Sequence, residues 1–200
     1  MLPETMPVCP VRGSVIYPTM VMPIDAGRPI SIRAIAEALA RDRVLLIVSQ
    51  KDKEVETPRP SDLFEVGTAC NILKMRKNPD GSVQVLVQAF ARVRVKEWLD
   101  LGDHLEARGE VLADEPGEPI LVKALVREVK DKFQALLKEG KYLAPEVAQF
   151  ILNLEDPSQL ADYVAFHMDF RLEDKQKVLE TANMAERLRA VLVLLEAELA

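Results

Sequence analysis

The chain has 200 residues, of which 48% are hydrophobic and 29% charged, so it can bury a sizeable core. Its net charge of -6 disfavours nucleic acid as a partner, because affinity for phosphate comes mainly from clustered lysine and arginine. Two cysteines, Cys9 and Cys70, are too few for a disulfide framework and lack the paired spacing of a zinc site. The sequence has no secretory leader and no apolar run near the roughly 20 residues that span a bilayer. These features predict a cytoplasmic protein without a membrane segment.

Residues 1–112 are predicted to form a β-rich domain with one helix. The periodicity predicts short, proline-interrupted strands at 6–11 and 14–18, a helix at 30–42 and a fully buried strand at 44–50. Helical spacing places one set of apolar residues on a single face of that helix: Ile32, Ile35, Ala36 and Leu39. The polar segment 51–62 that follows is expected to be a mobile loop.

A hairpin is the clearest local signal in this half. Two strands, 67–77 and 82–95, flank the turn sequence Asn-Pro-Asp-Gly at 78–81, where proline presets φ and glycine supplies a positive φ. A last strand is expected at 104–112. Six or so strands and one helix predict a small curled sheet or open barrel.

The second half of the chain has helical periodicity. A linker rich in proline and acidic residues is expected at 113–119, followed by an all-α bundle over 120–200. Gly140 is predicted to cap the C-terminus of one helix, and Asp156 and Asn183 to cap the N-termini of two others. The helices are predicted at 120–141, 145–154, 157–167, 172–181 and 183–200.

The last helix, 183–200, has a nearly heptad apolar seam formed by Met184, Leu188, Val191, Leu195 and Leu199. It reaches the end of the sequence with no glycine, proline or basic last turn. This pattern predicts a helix that continues toward a coiled coil in a longer protein. The alternative is one more bundle helix, and both hold if Met184 and Leu188 lie in the bundle while the rest project.

The motifs of a catalytic domain are missing from the sequence. The single Gly-Lys pair, at 140–141, is followed by Tyr142 and preceded at the required spacing by Ala135, so it is not a phosphate-binding P-loop. The two histidines, His104 and His167, are expected to be ordinary surface or capping residues, and the cysteines to be small buried apolar groups. We therefore expect no catalytic residue, metal or cofactor in this chain.

Three separated tracts resemble the N-terminal region of ATP-dependent Lon proteases. The tract 67–95 looks like the hairpin of that family, and 154–188 is similar to its helical segment. Residues 88–92 depart from the family, whose bacterial members commonly have Glu-Gly before the arginine region. The first tract, 9–28, supplies the pattern residues Pro10, Arg12, Pro18, Met20, Pro23, Gly27 and Arg28.

The resemblance implies a PUA-like β domain followed by a helical bundle, an α+β protein. It also implies that the full-length protein is a homohexameric AAA+ serine protease with a Ser-Lys dyad, which uses ATP and Mg²⁺ in modules beyond residue 200. The implied partners are unfolded, damaged or degron-tagged proteins. The expected function of this region is substrate recognition and help with assembly.

Two candidate surfaces for substrate follow from the need to grip exposed apolar side chains, to which methionine adapts well. The first is an exposed patch of Met20, Met22, Pro23 and Ile24, whose alternative is that one face of this strand packs into the core. The second lies in the helical half, and its alternative is the core of the bundle; it comprises Phe150, Ile151, Leu154, Phe166, Met168 and Phe170.

Two other functions stay open at this stage. One is a stand-alone PUA-like binding module for RNA or a regulatory partner, against which the net charge of -6 argues. The other is an enzyme with a hidden site, which would need convergent polar groups that the sequence does not offer.

Overall fold

The computed structural model describes residues 1–140 and 143–200, which divide into two compact units, Met1–Leu112 and Ala113–Ala200. The first unit is a mixed β-sheet with one α-helix, and the second is entirely helical. The α+β organisation expected from the sequence is therefore confirmed. No helix in the described residues is long and apolar enough to cross a membrane.

Six strands build the first unit. They are β1 (Met6–Val11), β2 (Val21–Ala26), β3 (Val44–Ser49), β4 (Val66–Lys77), β5 (Val83–Asp100) and β6 (Leu105–Val111). Their order is β2-β5-β4-β3-β1-β6, and β6 also pairs with β5. Five strands thus close into a ring, and β2 lies outside that ring. Only β1 and β3 run parallel; the other pairs are antiparallel.

The long strand β5 connects the ring to β2. Its second part, Val93–Asp100, pairs with β6 and completes the ring, whereas its first part, Val83–Gln88, pairs with β2. Register shifts in the pairings of β5 with β4 and with β6 mark β-bulges, which bend a strand and increase its twist. One strand can therefore serve two adjoining sheet regions.

The ring closes tightly where β3 and β4 meet. A side chain added at Gly67 would place its Cβ 2.6 Å from the carbonyl oxygen of Ile47, a backbone atom that cannot move aside cheaply. Only glycine allows so close an approach of two strands.

Helix α1 (Pro29–Ala40) packs on this sheet with most of the predicted face: Ile35 is buried, and Ile32 and Leu39 are partly buried against the core. The prediction is wrong for Ala36, which is exposed, because the buried face extends instead to Ala34 and Ala38. Two alanines on the inner face let the helix approach the strands closely, and this packing decides the orientation.

The segment 14–18, predicted as a strand, is irregular although it is buried at Val15, Ile16 and Tyr17. Side chains replace a strand partner here: the Thr68 hydroxyl donates to the Ile16 carbonyl at 2.6 Å, and Ser49 donates likewise to Ser14. Buried backbone needs partners, and these hydroxyls supply some of them without a ladder.

The described residues of the second unit form five helices. They are α2 (Pro119–Lys138), α3 (Pro145–Leu152), α4 (Pro157–His167), α5 (Leu172–Glu180) and α6 (Met184–Leu199). Asp156 and Asn183 accept backbone N–H groups of α4 and α6, so both predicted N-caps are confirmed. Gly140 follows α2 with a positive φ of 87°, as a C-terminal cap requires. Residue 141, the predicted end of α2, lies outside the described residues.

The apolar seam of α6 is used inside the bundle. Met184, Leu188, Val191 and Leu195 are all buried, so the expectation that the seam projects beyond Leu188 is wrong for Val191 and Leu195. A heptad-like seam suits a bundle and a coiled coil equally, and here α2 and α4 cover it.

The segment 113–119, predicted as a solvated linker, is bound to its own unit. Glu115 donates its backbone N–H to Ala182 and accepts one from Met184, both at 2.9 Å. Arg187 is fully buried and donates to Asp114 at 2.6 Å, to Ser158 at 2.7 Å and to the Thr181 carbonyl at 2.8 Å. This buried guanidinium fastens the start of the segment to α4 and α6.

Candidate functional site

Strand β2 is an edge strand, because β5 is its only strand partner in the described part of the chain. Its free edge presents backbone N–H and C=O groups, as edge strands do, except at Pro23, which has no N–H. A strained residue precedes it: Thr19 has a φ of 73°, which is rare for a β-branched side chain. The chain is held there by reciprocal backbone bonds, Thr19 to Ala89 at 2.9 Å and Ala89 to Met20 at 2.8 Å.

The structure divides the predicted methionine patch between two faces. Met20 and Ile24 are buried, and Met22 is half-buried against the same core. Pro23 is exposed. The expectation of one exposed patch is therefore wrong for Met20 and Ile24, because alternate residues of a strand with one covered face point inward. The role of Met22 and Pro23 in binding stays a prediction.

The outward face of β2 carries an apolar surface that the sequence did not reveal. Val21 is 52% exposed and precedes Met22, so it points to the same side as Pro23. Pro23 is directly opposite Leu86 of β5, which is half-buried. We call Val21, Pro23 and Leu86 the outer strip.

Polar groups border the outer strip. On one side, the Gln84 amide donates to Asp25 at 3.0 Å, and on the other Gln88 lies opposite Val21. Lys74 of β4 lies opposite Leu86 on the far side of β5. An apolar centre with a polar rim is the usual composition of a protein-binding surface.

A groove lies beside β2, with a volume of about 480 Å³. Residues 22–28 line it together with 9–12, Ser14 and Ser31. We call it the edge groove. It combines a free strand edge with apolar side chains, and this combination suits an extended peptide that adds to the sheet.

Two arginines of the edge groove are already bound by the protein. Arg28 donates to Gln50, to the Pro10 carbonyl at 3.0 Å and to the Glu56 carbonyl at 3.3 Å, while Arg12 pairs with Glu56 at 3.3 Å. Burial lowers the pKa of the Arg28 guanidinium, and the positive charge of Arg12 lowers it further. These contacts connect the segment after β3 to Arg12 and Arg28. The mobility expected for 51–62 stays a prediction.

The thiol of Cys9, which lines the edge groove, is not set up for nucleophilic chemistry. Burial raises the pKa of the Cys9 thiol to about 11, so the thiol is protonated at neutral pH. Burial likewise raises the pKa of Cys70. No group of three or more metal-binding side chains occurs in the residues that the structure describes.

The two histidines differ from each other. His104, predicted as a surface or capping residue, is buried, with its ring nitrogens 2.7 Å from Asp103 and 2.8 Å from Glu106. Arg41 binds the same Glu106 carboxylate, so the imidazole belongs to a structural charge network. His167 is half-buried beside Tyr163, and burial lowers its pKa.

The second predicted surface lies mostly inside the bundle. Met168 and Phe170 are buried, and Phe166 is half-buried with its ring 5.0 Å from that of His167. Ile151 and Leu154 are buried as well. These four residues therefore cannot form an exposed grip: Ile151 packs inward from α3, and Met168 and Phe170 pack inward from the connection between α4 and α5. Phe150 is 49% exposed and contacts Tyr163 edge to face at 5.1 Å.

Comparison with solved structures defines the class of protein. The N-terminal domain of a Lon protease from the Mycobacterium avium complex matches with a TM-score of 0.79 at 25% identity, over 96% of this chain and 98% of that chain. A Lon N-terminal domain protein from Xanthomonas campestris has the same fold, with a TM-score of 0.62 at 13% identity, over 94% of this chain and 97% of that one. The fold is that of Lon N-terminal domains.

Sequence comparison gives the family. The model of the ATP-dependent protease La (LON) substrate-binding domain matches residues 5–197, and the chain belongs to that family. It is 98% identical over 200 residues to Lon protease 2 of Thermus thermophilus and 39% identical over 193 residues to the Lon protease of Escherichia coli. These matches cover 100% and 96% of this chain but 25% of each relative, so the chain spans about a quarter of their length.

Proposed function

We propose that this chain is the substrate-engaging region of an ATP-dependent Lon protease, and that it binds exposed apolar segments of unfolded, damaged or degron-tagged proteins. The outer strip is the observation that carries the proposal. Its three residues put apolar surface at the edge of a sheet, next to backbone groups that lack a strand partner. Folded proteins bury such segments, so the surface selects chains that have lost their packing.

The outer strip and the edge groove contribute different parts of the affinity. Contacts with Val21 and Pro23 increase the affinity for any bulky apolar side chain, because the hydrophobic effect is non-directional. Backbone hydrogen bonds along the free edge of β2 increase the affinity for an extended peptide, whatever the sequence of that peptide. A site of this kind discriminates by conformation and exposure rather than by one sequence.

The test is a titration of the isotope-labelled 200-residue chain with one model protein, in its folded and its permanently unfolded forms. Amide shifts confined to β2 and β5 are expected with the unfolded form alone. Met22→Asp is a poor variant for this purpose, because Met22 packs against the core and its loss perturbs the fold.

Val21→Asp with Pro23→Asp is the better variant, because both side chains point to solvent. One apolar contact contributes about 1.5–3 kcal/mol to the binding free energy, so its loss should weaken binding at least about tenfold. Val111→Asp is the matched control for the single variant Val21→Asp, since each adds one negative charge: Val111 also lies in a strand and is 49% exposed, but it belongs to β6. Equal weakening by both variants would show that any exposed valine serves, and the outer strip would lose its assignment.

The rest of the proposed activity lies in the parts of the relatives that this chain does not cover. We place ATP and Mg²⁺ binding, a Ser-Lys peptidase and hexamer formation there, with this region aiding assembly in the cytoplasm. A full-length protein carrying Val21→Asp and Pro23→Asp should still hydrolyse ATP and a short fluorogenic peptide, and should degrade an unfolded protein slowly. Loss of all three activities would mean that the substitutions act on assembly.

A further inference from the structure

A second groove lies in the helical unit, between α2 and α3, with a volume of about 550 Å³. The wall of this groove that α2 forms carries Lys123, Arg127 and Lys130. We call the whole groove the basic groove. The remaining lining residues are Val126, Asp131, Gln134, Gln149, Leu152 and Asn153.

The three cations of the basic groove form no ion pair in the described part of the chain. Spacings of four and three residues put them on one face of α2, on successive turns. Lys123, Arg127 and Lys130 form no ion pair with any acidic side chain in 1–140 and 143–200. By contrast, the buried cation of the same unit, Arg187, is bound by Asp114.

The charge of α2 runs against that of the whole chain. The chain has a net charge of -6, yet the sequence of α2 contains five basic and two acidic residues. Like charges on neighbouring turns repel one another and lower helix stability slightly. A ligand with negative charge would relieve that repulsion.

The other walls of the basic groove supply two further kinds of contact. Val126 and Leu152 are half-buried and give it an apolar floor. Gln149 donates to the Asn153 side-chain oxygen at 3.2 Å, which leaves the Asn153 amide nitrogen to donate to a ligand carbonyl. Cations, an apolar floor and a carboxamide together match a peptide that mixes acidic and apolar side chains.

We infer that the basic groove binds an acidic peptide segment, with carboxylates on Lys123, Arg127 and Lys130 and an apolar side chain on Val126 and Leu152. Nucleic acid fits less well, because the net negative charge repels a polyanion and Asp131 puts a carboxylate in the wall. The site is independent of the proposed function, since the outer strip belongs to the other unit.

The probe is a fluorescein-labelled octapeptide of aspartate and glutamate with one central leucine, titrated against the 200-residue chain by fluorescence anisotropy at low salt. The test variant reverses three charges: Lys123→Glu, Arg127→Glu and Lys130→Glu. The matched control reverses three exposed cations of the same unit outside the groove: Lys138→Glu, Lys177→Glu and Arg189→Glu. Both variants change the net charge equally, and circular dichroism checks that both fold.

We expect the groove variant to weaken binding of the octapeptide at least about tenfold, and the control less than about twofold. Replacing the central leucine by serine should also weaken binding, because the apolar floor then has no partner. Equal weakening by the two triple variants would reduce the effect to net charge and overturn the assignment. Failure of the octapeptide to bind, or tighter binding of a single-stranded oligonucleotide to the same residues, would overturn it as well.

Discussion

Arg187 offers the sharpest test of how the helical unit is held together. Its side chain is completely buried, and it donates hydrogen bonds to Asp114, Ser158 and Thr181 while lying 3.8 Å from the buried carboxylate of Asp162. Replacing Arg187 by alanine removes the cation and leaves these acceptors in place. Breaking a buried ion pair in this way is strongly destabilising, because the remaining groups lose their compensation.

The magnitude follows from the separate contacts. Hydrogen bonds from a charged donor contribute about 1.5–3 kcal/mol each, but Asp114 is 42% exposed and water replaces much of its bond. The bonds to Ser158 and Thr181 and the buried stem of the side chain account for the rest. Together these contacts predict a loss of about 3–5 kcal/mol in the free energy of unfolding.

The chain has an internal reference for the measurement. Its single tryptophan, Trp98, lies in β5, whereas five of the six α-helices in the described residues lie in the second unit. In a guanidinium titration followed by circular dichroism, Arg187→Ala should move the midpoint of the helical unfolding transition to a lower denaturant concentration. The fluorescence transition of Trp98 should stay in place, because the described contacts of Arg187 are all within the second unit.

Arg189→Ala is the control, since Arg189 is an exposed arginine two residues further along the same helix. It should change the free energy of unfolding by no more than about 0.5 kcal/mol. If Arg187→Ala also stayed within that limit, the buried guanidinium would not hold the start of the second unit to α4 and α6.

Further predictions concern the first unit and the caps. Gly67→Ala should lower the free energy of unfolding by about 1–3 kcal/mol in denaturant titrations, whereas Gly27→Ala, with open space around it, should be nearly neutral. Burial raises the pKa of Glu106, but hydrogen bonds from an arginine and a histidine outweigh burial and hold it below its usual range. Its contribution to stability is then complete above the unfolded pKa of about 4.5 and is lost as pH falls through the lowered folded value, so Glu106→Gln should flatten the pH dependence of the unfolding free energy below about pH 4.5. Asn183→Ala should cost about 1 kcal/mol of helical stability by circular dichroism. Cys9 should resist iodoacetamide at pH 8 in the native chain and react only on unfolding, as followed by mass spectrometry.

Features set by neighbouring residues were predictable from the sequence. The caps at Asp156 and Asn183 and the positive φ of Gly140 depend on one turn of chain, and they appear where expected. The hairpin that joins β4 to β5 depends likewise on its turn sequence. Local chemistry decides such features before any tertiary contact forms.

Features set by distant contacts were not predictable in the same way. The outer strip exists because Pro23 of β2 lies opposite Leu86 of β5, a register between segments more than 60 residues apart. His104 contacts Asp103 and Glu106 of its own strand region, and Glu106 is bound in turn by Arg41, which directly follows α1. The apolar seam of α6 could equally have served a bundle or a coiled coil, and only the neighbouring helices decide between them.

The closed ring determines which strand pairing of the first unit breaks first under a pulling force. Because β3, β4, β1 and β6 close on β5 without β2, detaching β2 breaks one ladder and leaves every bond of the ring in place. If β2 binds a substrate chain as proposed, a pulling force on that chain would first detach β2 from β5, while the ladders of the ring remain. The first unit would then lose only the pairing of β2 with β5 while the chain is pulled, and β2 would pair with β5 again after the chain has left.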